Sequence, residues 1–293
     1  MKIGVVYPQI ELDGNPESLD QIGRATEALG YDHFVMYDHV VGAVHENRSP
    51  PLWEHGPYTD KHPFHDPLIV FGYLAGITKR IELVSGVLIL PQRQTVLVAK
   101  QATDIDLLSG GRLRLGVGSG WNYVEYDALG EDFAERGPRL TEQIGYLRQL
   151  WAEPLVTFNG KYDSLDRAAI IPRPRRQIPI WCGGFAERSF KRAAKLADGY
   201  IFAGGAEMSR NGLRRMHHHL QQEGRSTEGF GFECLLQSPT VGGLSVQESV
   251  DAARRWQDLG GTHASVVTMA LGYTTTQQHL DHIAEFRHKL GSS

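Results

Sequence analysis

A glycine-rich segment at residues 112–125, RLRLGVGSGWNYVE, carries the residue types best suited to hold an anion. Gly116, Gly118 and Gly120 stand at alternate positions after an apolar run, and Trp121 and Asn122 follow directly. Glycines permit a positive φ and let a ligand approach main-chain N–H groups, which is why such loops bind anions. Glycines after a buried strand can also serve only to make a tight turn. The segment alone leaves both interpretations open.

A second glycine pair, Gly183 and Gly184, follows the apolar run IPIWC and precedes a predicted helix. The N–H groups and the dipole of a helix N-terminus attract an anion without needing a basic side chain. If the two glycine segments end neighbouring strands, one elongated ligand can contact both. A phosphorylated cofactor fits this arrangement.

The pattern along the whole chain predicts how these segments are positioned. Eight apolar runs typical of buried strands alternate with segments that place apolar residues at helical spacing. Eight such pairs, with no linker-like change in composition, predict one domain over residues 1–293, a closed α/β barrel of the (β/α)8 type. The predicted strands are residues 2–7, 33–37, 81–90, 112–117, 178–182, 199–203, 230–237 and 264–269. The predicted helices are residues 17–29, 66–78, 96–108, 137–151, 187–197, 209–222, 246–259 and 276–290.

Two insertions interrupt the regular alternation. Residues 38–65 after the second strand contain four prolines and show no sustained periodicity, which predicts a long loop of the kind that is often functional. Residues 156–162, with the pair Asn159-Gly160, predict a small hairpin before the fifth strand.

In a (β/α)8 barrel the site is built from loops at the carboxyl ends of the strands. This rule selects Pro8 and Gln9, Asp38 and His39, Ser85 to Val87, Gly118 to Asn122, Gly183 to Phe185, and Ala203 to Gly205. The common barrel phosphate site after the seventh and eighth strands is not indicated, because neither QSP at 237–239 nor MAL at 269–271 contains a glycine pair.

Composition narrows the class of protein. Hydrophobic residues at 41%, charged residues at 22% and a net charge of -4 are typical of globular proteins and give no reason to expect a nucleic acid partner. No apolar stretch approaches the length of a membrane span, and two distant cysteines favour an intracellular, cytoplasmic protein. No metal site is expected, because the spacing of His55, His62 and His65 suits no tight zinc site.

Several segments together resemble the bacterial luciferase-like oxidoreductases, most closely their deazaflavin-dependent branch. The resemblance rests on LGYDHFVMYDHV (29–40), SGVLILPQR (85–93), LLSGGRLRLGVGSGWNYVE (107–125), and IPIWCGG (178–184) followed by AAKLADGY (193–200). These segments occur in the family's order and cover about the first two thirds of the chain. The resemblance implies a flavin or deazaflavin cofactor and an enzyme that acts on a small organic molecule.

The resemblance also implies roles for individual residues near the cofactor ring. Asp38 and His39 match the family's acidic-histidine pair beside the ring, where a histidine can exchange a proton with the substrate near neutral pH. The alternative for His39 is a histidine that only caps the strand end. Ser85, Gly86 and Val87 match the segment that supports the ring, and Gly86-Val87 aligns with a non-prolyl cis peptide of the family.

Further matches concern the cofactor tail. Gly118, Ser119, Trp121 and Asn122 match the loop that lines the tail, and Gly183, Gly184 and Phe185 match the turn that contacts its phosphate. Ser119 stands where some deazaflavin relatives carry a glutamate that acts as an acid. Glu125 is the nearest carboxylate that could substitute, although a glutamate on a short helix is more often solvated.

The leading functional hypothesis is hydride transfer between coenzyme F-420, an 8-hydroxy-5-deazaflavin, and an unidentified small organic substrate. A monooxygenase that uses FMN is the alternative, and a flavin-binding protein without catalysis is a third. Trp53, Tyr58 and Phe64 of the long loop are expected to form apolar walls of the substrate site, which favours an apolar or planar molecule. Family members are commonly dimers, so a homodimer is expected.

Overall fold

Eight parallel strands form a closed barrel in the computed structural model, which describes residues 1–52, 56, 58–240 and 242–292. The described residues form eleven strand segments, because β3 and β4 share one position in the barrel and β6 and β7 form a separate hairpin. They are β1 (Lys2–Val6), β2 (His33–Met36), β3 (Glu82–Ser85), β4 (Leu88–Ile89), β5 (Leu113–Gly118), β6 (Val156–Asn159), β7 (Ser164–Ala168), β8 (Ile180–Gly183), β9 (Gly199–Phe202), β10 (Gly231–Leu236) and β11 (His263–Val267). The helices are α1 (Pro16–Ala28), α2 (Pro67–Ile77), α3 (Thr95–Ser109), α4 (Tyr123–Leu129), α5 (Arg136–Ala152), α6 (Glu187–Leu196), α7 (Ala206–Gln222), α8 (Val246–Asp258) and α9 (Thr276–Gly291).

The neighbour order of the strands closes the barrel. It runs β3-β2-β1-β11-β10-β9-β8-β5, and β3 pairs in parallel with β5 to complete the circle. The predicted (β/α)8 barrel is therefore confirmed. The long connection after β2 and a two-stranded hairpin, β6–β7, before β8 are present as well.

Two predicted strands differ in detail from the structure. The run at 81–90 is not one strand, because it breaks at a cis peptide between Gly86 and Val87 into β3 and β4, both of which pair with β5. The hairpin continues to Ala168 instead of ending at residue 162. Its turn is held by the carboxylate of Glu142 on α5, which accepts hydrogen bonds from the N–H groups of residues 161–163 at 2.7–3.0 Å.

Charged side chains fill the amino half of the barrel interior, where inward residues alternate with outward ones along each strand. Arg114 lies between Glu82, at 2.9 Å, and Glu233, at 2.5 Å. Glu233 also lies 2.8 Å from His33 Nε2 and accepts a hydrogen bond from Ser265 at 2.7 Å. Arg114, Glu233 and His33 are all buried. Burial opposes the ionised form of Glu233, but Arg114 and His33 hold its pKa well below the usual range.

An apolar layer lies above these charges, toward the carboxyl ends of the strands. It consists of Val6, Val35, Val84, Trp181, Ile201, Leu235, Val267 and Met269. The outer core, between strands and helices, is a larger apolar cluster that includes residues of every barrel strand. Among the described helices, none combines the length and the hydropathy needed to cross a membrane.

Candidate functional site

Asp38 follows the second barrel strand by two residues and is enclosed by protein. Its carboxylate pairs with Arg93 Nη2 at 2.6 Å and accepts a hydrogen bond from the Ile89 N–H at 2.8 Å. Arg93 also contacts Asp66, the N-cap residue of α2, at 2.8 Å. Asp38 is only 2% exposed, and burial raises its pKa, an effect that Arg93 opposes. This placement favours a positioning role, in which Asp38 ties the end of β2 to the segment after β4.

His39 lies in an aromatic cluster beside Asp38. Its ring stacks on Tyr58, with ring centroids 3.5 Å apart, and contacts Phe64 edge-on at 5.0 Å. The ring of Trp121 lies 6.2 Å away. Residues from the loop after β2 and the glycine segment after β5 thus meet at one place. The side chain of His39 keeps 11% of its surface exposed, so one ring edge can reach a ligand.

Glu125, expected to be solvated, is instead 1% exposed. Its carboxylate accepts a hydrogen bond from the Val40 N–H at 2.8 Å and from Gln92 Nε2 at 3.2 Å, and it lies 3.4 Å from His39 Nδ1. Burial alone would raise the pKa of Glu125, but these hydrogen bonds lower it. Beside an ionised carboxylate, His39 Nδ1 acts as the donor, which directs Nε2 away from Glu125.

Glu125 is buried because of a tertiary contact that its local sequence does not indicate. Glu125 stands in the first turn of α4, where a carboxylate usually interacts with the helix dipole and water. The loop after β2 covers this turn and supplies the N–H donors. The one local sequence signal for this part of the site was Asn122. Its side chain caps α4 by accepting a hydrogen bond from the Val124 N–H at 3.1 Å, and it donates to the Tyr58 hydroxyl at 2.8 Å.

The glycines at the ends of β5 and β8 make room for the break between β3 and β4. A Cβ added to Gly118 would lie 2.5 Å from Val87 Cγ2, and one added to Gly183 would lie 2.8 Å from Val87 Cγ1. A Cβ on Gly116 would lie 2.0 Å from the Ser85 carbonyl oxygen. These inward positions must be glycine because the segment Ser85–Val87 occupies the space of their side chains.

The two glycine segments are neighbours, as the sequence predicts, because β5 pairs in parallel with β8. The turn after β8 is held open by two hydrogen bonds: Ser189 Oγ donates to the Gly183 carbonyl and Tyr200 donates to the Gly184 carbonyl, both at 2.8 Å. Gly184 has a φ of +133°, which other residues rarely adopt. The turn leads into α6, whose first N–H groups have no partner within the helix.

Two predicted residues of these loops lie apart from the aromatic cluster. Phe185 is 54% exposed next to the start of α6. Ser119 is partly buried, and its carbonyl oxygen accepts a hydrogen bond from Tyr126 at 2.7 Å. Neither side chain contacts His39 in the hydrogen bonds and ring contacts of the structure.

The long loop contributes two of its three predicted aromatic residues. Tyr58 is 1% exposed, and Phe64 lies 5.1 Å from it, so both stand beside His39. Trp53 lies outside the described residues, as does His55. His62 Nδ1 accepts a hydrogen bond from the Thr59 N–H and His65 Nε2 contacts the Gly14 carbonyl, which gives both a local structural role.

Further side chains complete the mouth of the barrel. Gln9 bridges the backbone of Tyr37 through contacts of 2.6 and 3.2 Å, and Tyr37 donates to Gln237 at 3.2 Å. Gln92 and Arg93, which hold Glu125 and Asp38, follow the predicted strand region 81–90 by two and three residues. Only Gln9 was indicated, by its position after a strand.

The fold and the strand-end cluster define a (β/α)8 barrel with its candidate site at the carboxyl ends of the strands. The family model of luciferase-like monooxygenases matches residues 2–291. The chain therefore belongs to the luciferase-like monooxygenase family, and the suggested resemblance is confirmed.

One sequence relative and two solved structures with the same fold are similar to this chain. The chain is 30% identical over 255 residues to Rv0940c of Mycobacterium tuberculosis (strain ATCC 25618 / H37Rv), covering 86% of this chain and 85% of the relative. An F-420-dependent secondary alcohol dehydrogenase, solved with an F-420–acetone adduct, superposes with a TM-score of 0.80 at 16% identity, covering 99% and 98% of the two chains. The oxygenating constituent of 3,6-diketocamphane monooxygenase from Pseudomonas putida, solved with FMN, gives 0.71 at 12% identity, covering 98% and 96%.

Proposed function

We propose that the protein is an oxidoreductase that transfers a hydride between coenzyme F-420 and a small organic substrate. The observation that carries this proposal is the environment of His39. The histidine is oriented by a buried carboxylate, packed among aromatic rings and placed after β2, the strand that pairs with β3 where β3 leads into the Ser85–Val87 segment. This is the arrangement required to exchange a proton next to a redox-active ring.

The residues at the strand ends fit a tricyclic cofactor with a phosphorylated tail. The phosphate would bind at the Gly183–Gly184 turn, where the N-terminus of α6 favours an anion. The tail would pass Gly118 to Asn122, and the ring would lie against Ser85, Gly86 and Val87. When bound, the deazaflavin supplies a carrier of two electrons as hydride.

His39 would hold or accept the proton at the substrate oxygen. With Nδ1 directed to Glu125, Nε2 is the atom that can hydrogen-bond the substrate. Asp38 and Arg93 would fix the backbone from which His39 projects. Tyr58 and Phe64 would exclude water from one side of the substrate, and Trp53 would extend this apolar wall. An apolar or planar substrate suits such a wall.

An FMN-dependent monooxygenase is the alternative, favoured by the FMN-containing fold neighbour and by the family to which the chain belongs. Both cofactors have a tricyclic ring and a phosphorylated ribityl tail, so the same loops can hold either one.

Anaerobic titration separates the candidates. We expect the purified protein to bind reduced coenzyme F-420 more tightly than FMN and to reoxidise it in the presence of a carbonyl substrate or an activated alkene. Tight binding of FMN with no binding of F-420 would replace the first proposal by the second. Binding of either cofactor without turnover across the substrate panel would favour a flavin-binding protein.

We also propose that the protein forms a homodimer through α2 and α3. Helix α2, PLIVFGYLAGI, contains no charged residue, yet Ile69 is 69% exposed and Tyr73 is 46% exposed. Leu97 on the neighbouring α3 is 51% exposed. A helix that is apolar on all sides is normally buried, and a second copy of this chain supplies the missing cover.

A further inference from the structure

A groove of about 750 Å³ runs along the outer surface of α6, away from the aromatic cluster. Residues of α5 form one wall and residues of α7 form the other. Arg188, Lys191, Arg192 and Lys195, which belong to α6, line the groove. Nothing in the proposed site uses these four cations.

The four cations lie on one face of the helix. Their spacing is i, i+3, i+4 and i+7, which brings side chains to the same side of an α-helix. With a rise of 1.5 Å per residue, the stripe extends over about 10 Å. A single phosphate is too small to contact such a stripe, whereas a linear polyanion matches it.

Most of the charge on this face is not balanced by the protein. In the described part of the chain, no carboxylate lies within ion-pair distance of Arg188, Lys191 or Arg192, although the whole chain has a net charge of -4. Lys195 has one distant partner, Glu223, at 3.7 Å. Arg192 is held in place by Thr141 Oγ1 and the Gly137 carbonyl, both at 2.9 Å.

Along the chain, the groove starts close to the proposed phosphate site. Helix α6 follows β8 and returns to the parallel strand β9, so it starts at the carboxyl ends of the strands and runs away from them. Arg188 stands in the first turn of α6, three residues after Phe185. A ligand that leaves the barrel at this turn would meet the four cations in succession.

We propose that the α6 groove binds the anionic extension of a ligand whose ring lies at the strand ends. The extension is a chain of carboxylates or phosphates that continues beyond the first phosphate. This inference rests on the proposed function for the ring end of the ligand. It also assigns the groove a role in selecting a cofactor with a long acidic tail over one that ends at its phosphate, as FMN does.

Two deazaflavin probes test the proposal: one carries a tail of γ-linked glutamates, and the other is truncated at its phosphate. We expect the wild-type protein to bind the tailed form at least tenfold more tightly, with a preference that shrinks as salt is added. The double variant Arg188→Gln/Lys191→Gln should reduce this preference to about twofold or less, because half of the stripe is removed. The double variant Lys79→Gln/Arg80→Gln, which removes two charges at exposed residues after α2, should keep the preference. Equal affinity of the wild type for both probes, or an unchanged preference in the double variant, would overturn the proposal.

Tripolyphosphate separates this inference from the proposed function. This linear polyanion has no ring, so its binding tests the groove alone. We expect calorimetry to show binding to the wild type that is at least tenfold weaker in the double variant. Such a result with no binding of either deazaflavin would retain the groove and reject the F-420 proposal. Binding of both deazaflavins with no difference in tripolyphosphate affinity between wild type and variant would reject the groove and retain the F-420 proposal.

Discussion

The carboxylate of Glu125 accepts a hydrogen bond from the main-chain N–H of Val40 at 2.8 Å, which joins the helix after β5 to the loop after β2. The same carboxylate lies beside His39 Nδ1 and Gln92 Nε2. One buried group therefore fixes both the backbone and the ring of the proposed acid–base residue.

Replacing Glu125 by glutamine tests this relationship. The amide keeps the size of the side chain but removes the charge. Its NH2 group is a donor, and it replaces an oxygen that faced N–H donors. We expect the free energy of unfolding to fall by about 1–3 kcal/mol and kcat to fall while the Kd of the cofactor stays within threefold. Urea unfolding and steady-state kinetics measure the two effects. Asp127→Asn replaces an exposed carboxylate on the same helix by an amide and is the control. It should match the wild type in stability and in kcat.

Replacing His39 by glutamine should remove proton exchange but not cofactor binding. The expected loss in kcat is about 100-fold or more, the range for a general acid–base group. The Kd of the cofactor should change less than threefold, because the tail contacts lie at other loops. A variant with unchanged kcat would show that His39 only caps the strand end, the alternative interpretation of its position.

Gly118→Ala tests the packing of the Ser85–Val87 segment. The new Cβ would lie 2.5 Å from Val87 Cγ2, so we expect a loss of about 1–3 kcal/mol in stability from overpacking. The double variant Gly118→Ala/Val87→Ala should recover most of it, and a thermodynamic cycle measures the coupling. Gly145→Ala on α5, where the added Cβ meets nothing within 4 Å, should be neutral or slightly stabilising. Equal stability of Gly118→Ala and the wild type would contradict the steric account.

His279 on α9 should make the protein less stable in mild acid. Burial, aided by the nearby His282, lowers its pKa from 6.5 to about 4, so between these values the unfolded chain binds more protons than the folded chain. The free energy of unfolding therefore falls as the pH drops through this window, by up to about 3 kcal/mol. His279→Asn, which can keep the contact to Thr268 Oγ1, should have a smaller difference in stability between pH 7 and pH 5. An exposed change on the same helix, His288→Asn, is the control; a wild-type pH dependence in His279→Asn would contradict the prediction.

Ile69→Glu should disrupt the proposed dimer. A charge in the centre of an apolar interface is left without a partner, and the monomer gains a solvated residue instead. Light scattering coupled to size exclusion should show one chain per particle for the variant and two for the wild type. Arg80→Glu, an exposed change just after α2, should leave the wild type's particle mass unchanged. A monomeric wild type would reject the dimer itself.

The barrel was predictable because its signals are local and repeated. Eight buried apolar runs and eight helical patterns need no knowledge of distant contacts, and the pairing of β5 with β8 followed from their order. Positions such as Gly116, Gly118 and Gly183 were also visible as glycines, but their packing around Val87 depends on a backbone break in another strand. Spacing within a segment carries no information about such a contact.

The same limit explains the site. His39 was identifiable from its place after a strand and from a familiar motif, whereas its partner Glu125 stands 86 residues later in a helix that, by itself, predicts solvent exposure. Asp38 was recognised by type, but its ion pair with Arg93 requires the turn after β4 to fold back over β2. Charge partners separated by whole strand–helix units are set by the closure of the barrel.

The charged cluster of Arg114, Glu233 and His33 gives the barrel a closed floor. Because these side chains fill the amino end of the interior, we expect every molecule that reaches His39 to enter and leave at the carboxyl ends of the strands. When two ligands share a pocket with one opening, the ligand that lies deeper has to bind first and dissociate last. We therefore expect an ordered kinetic mechanism, a property that would follow from three side chains remote from the reaction.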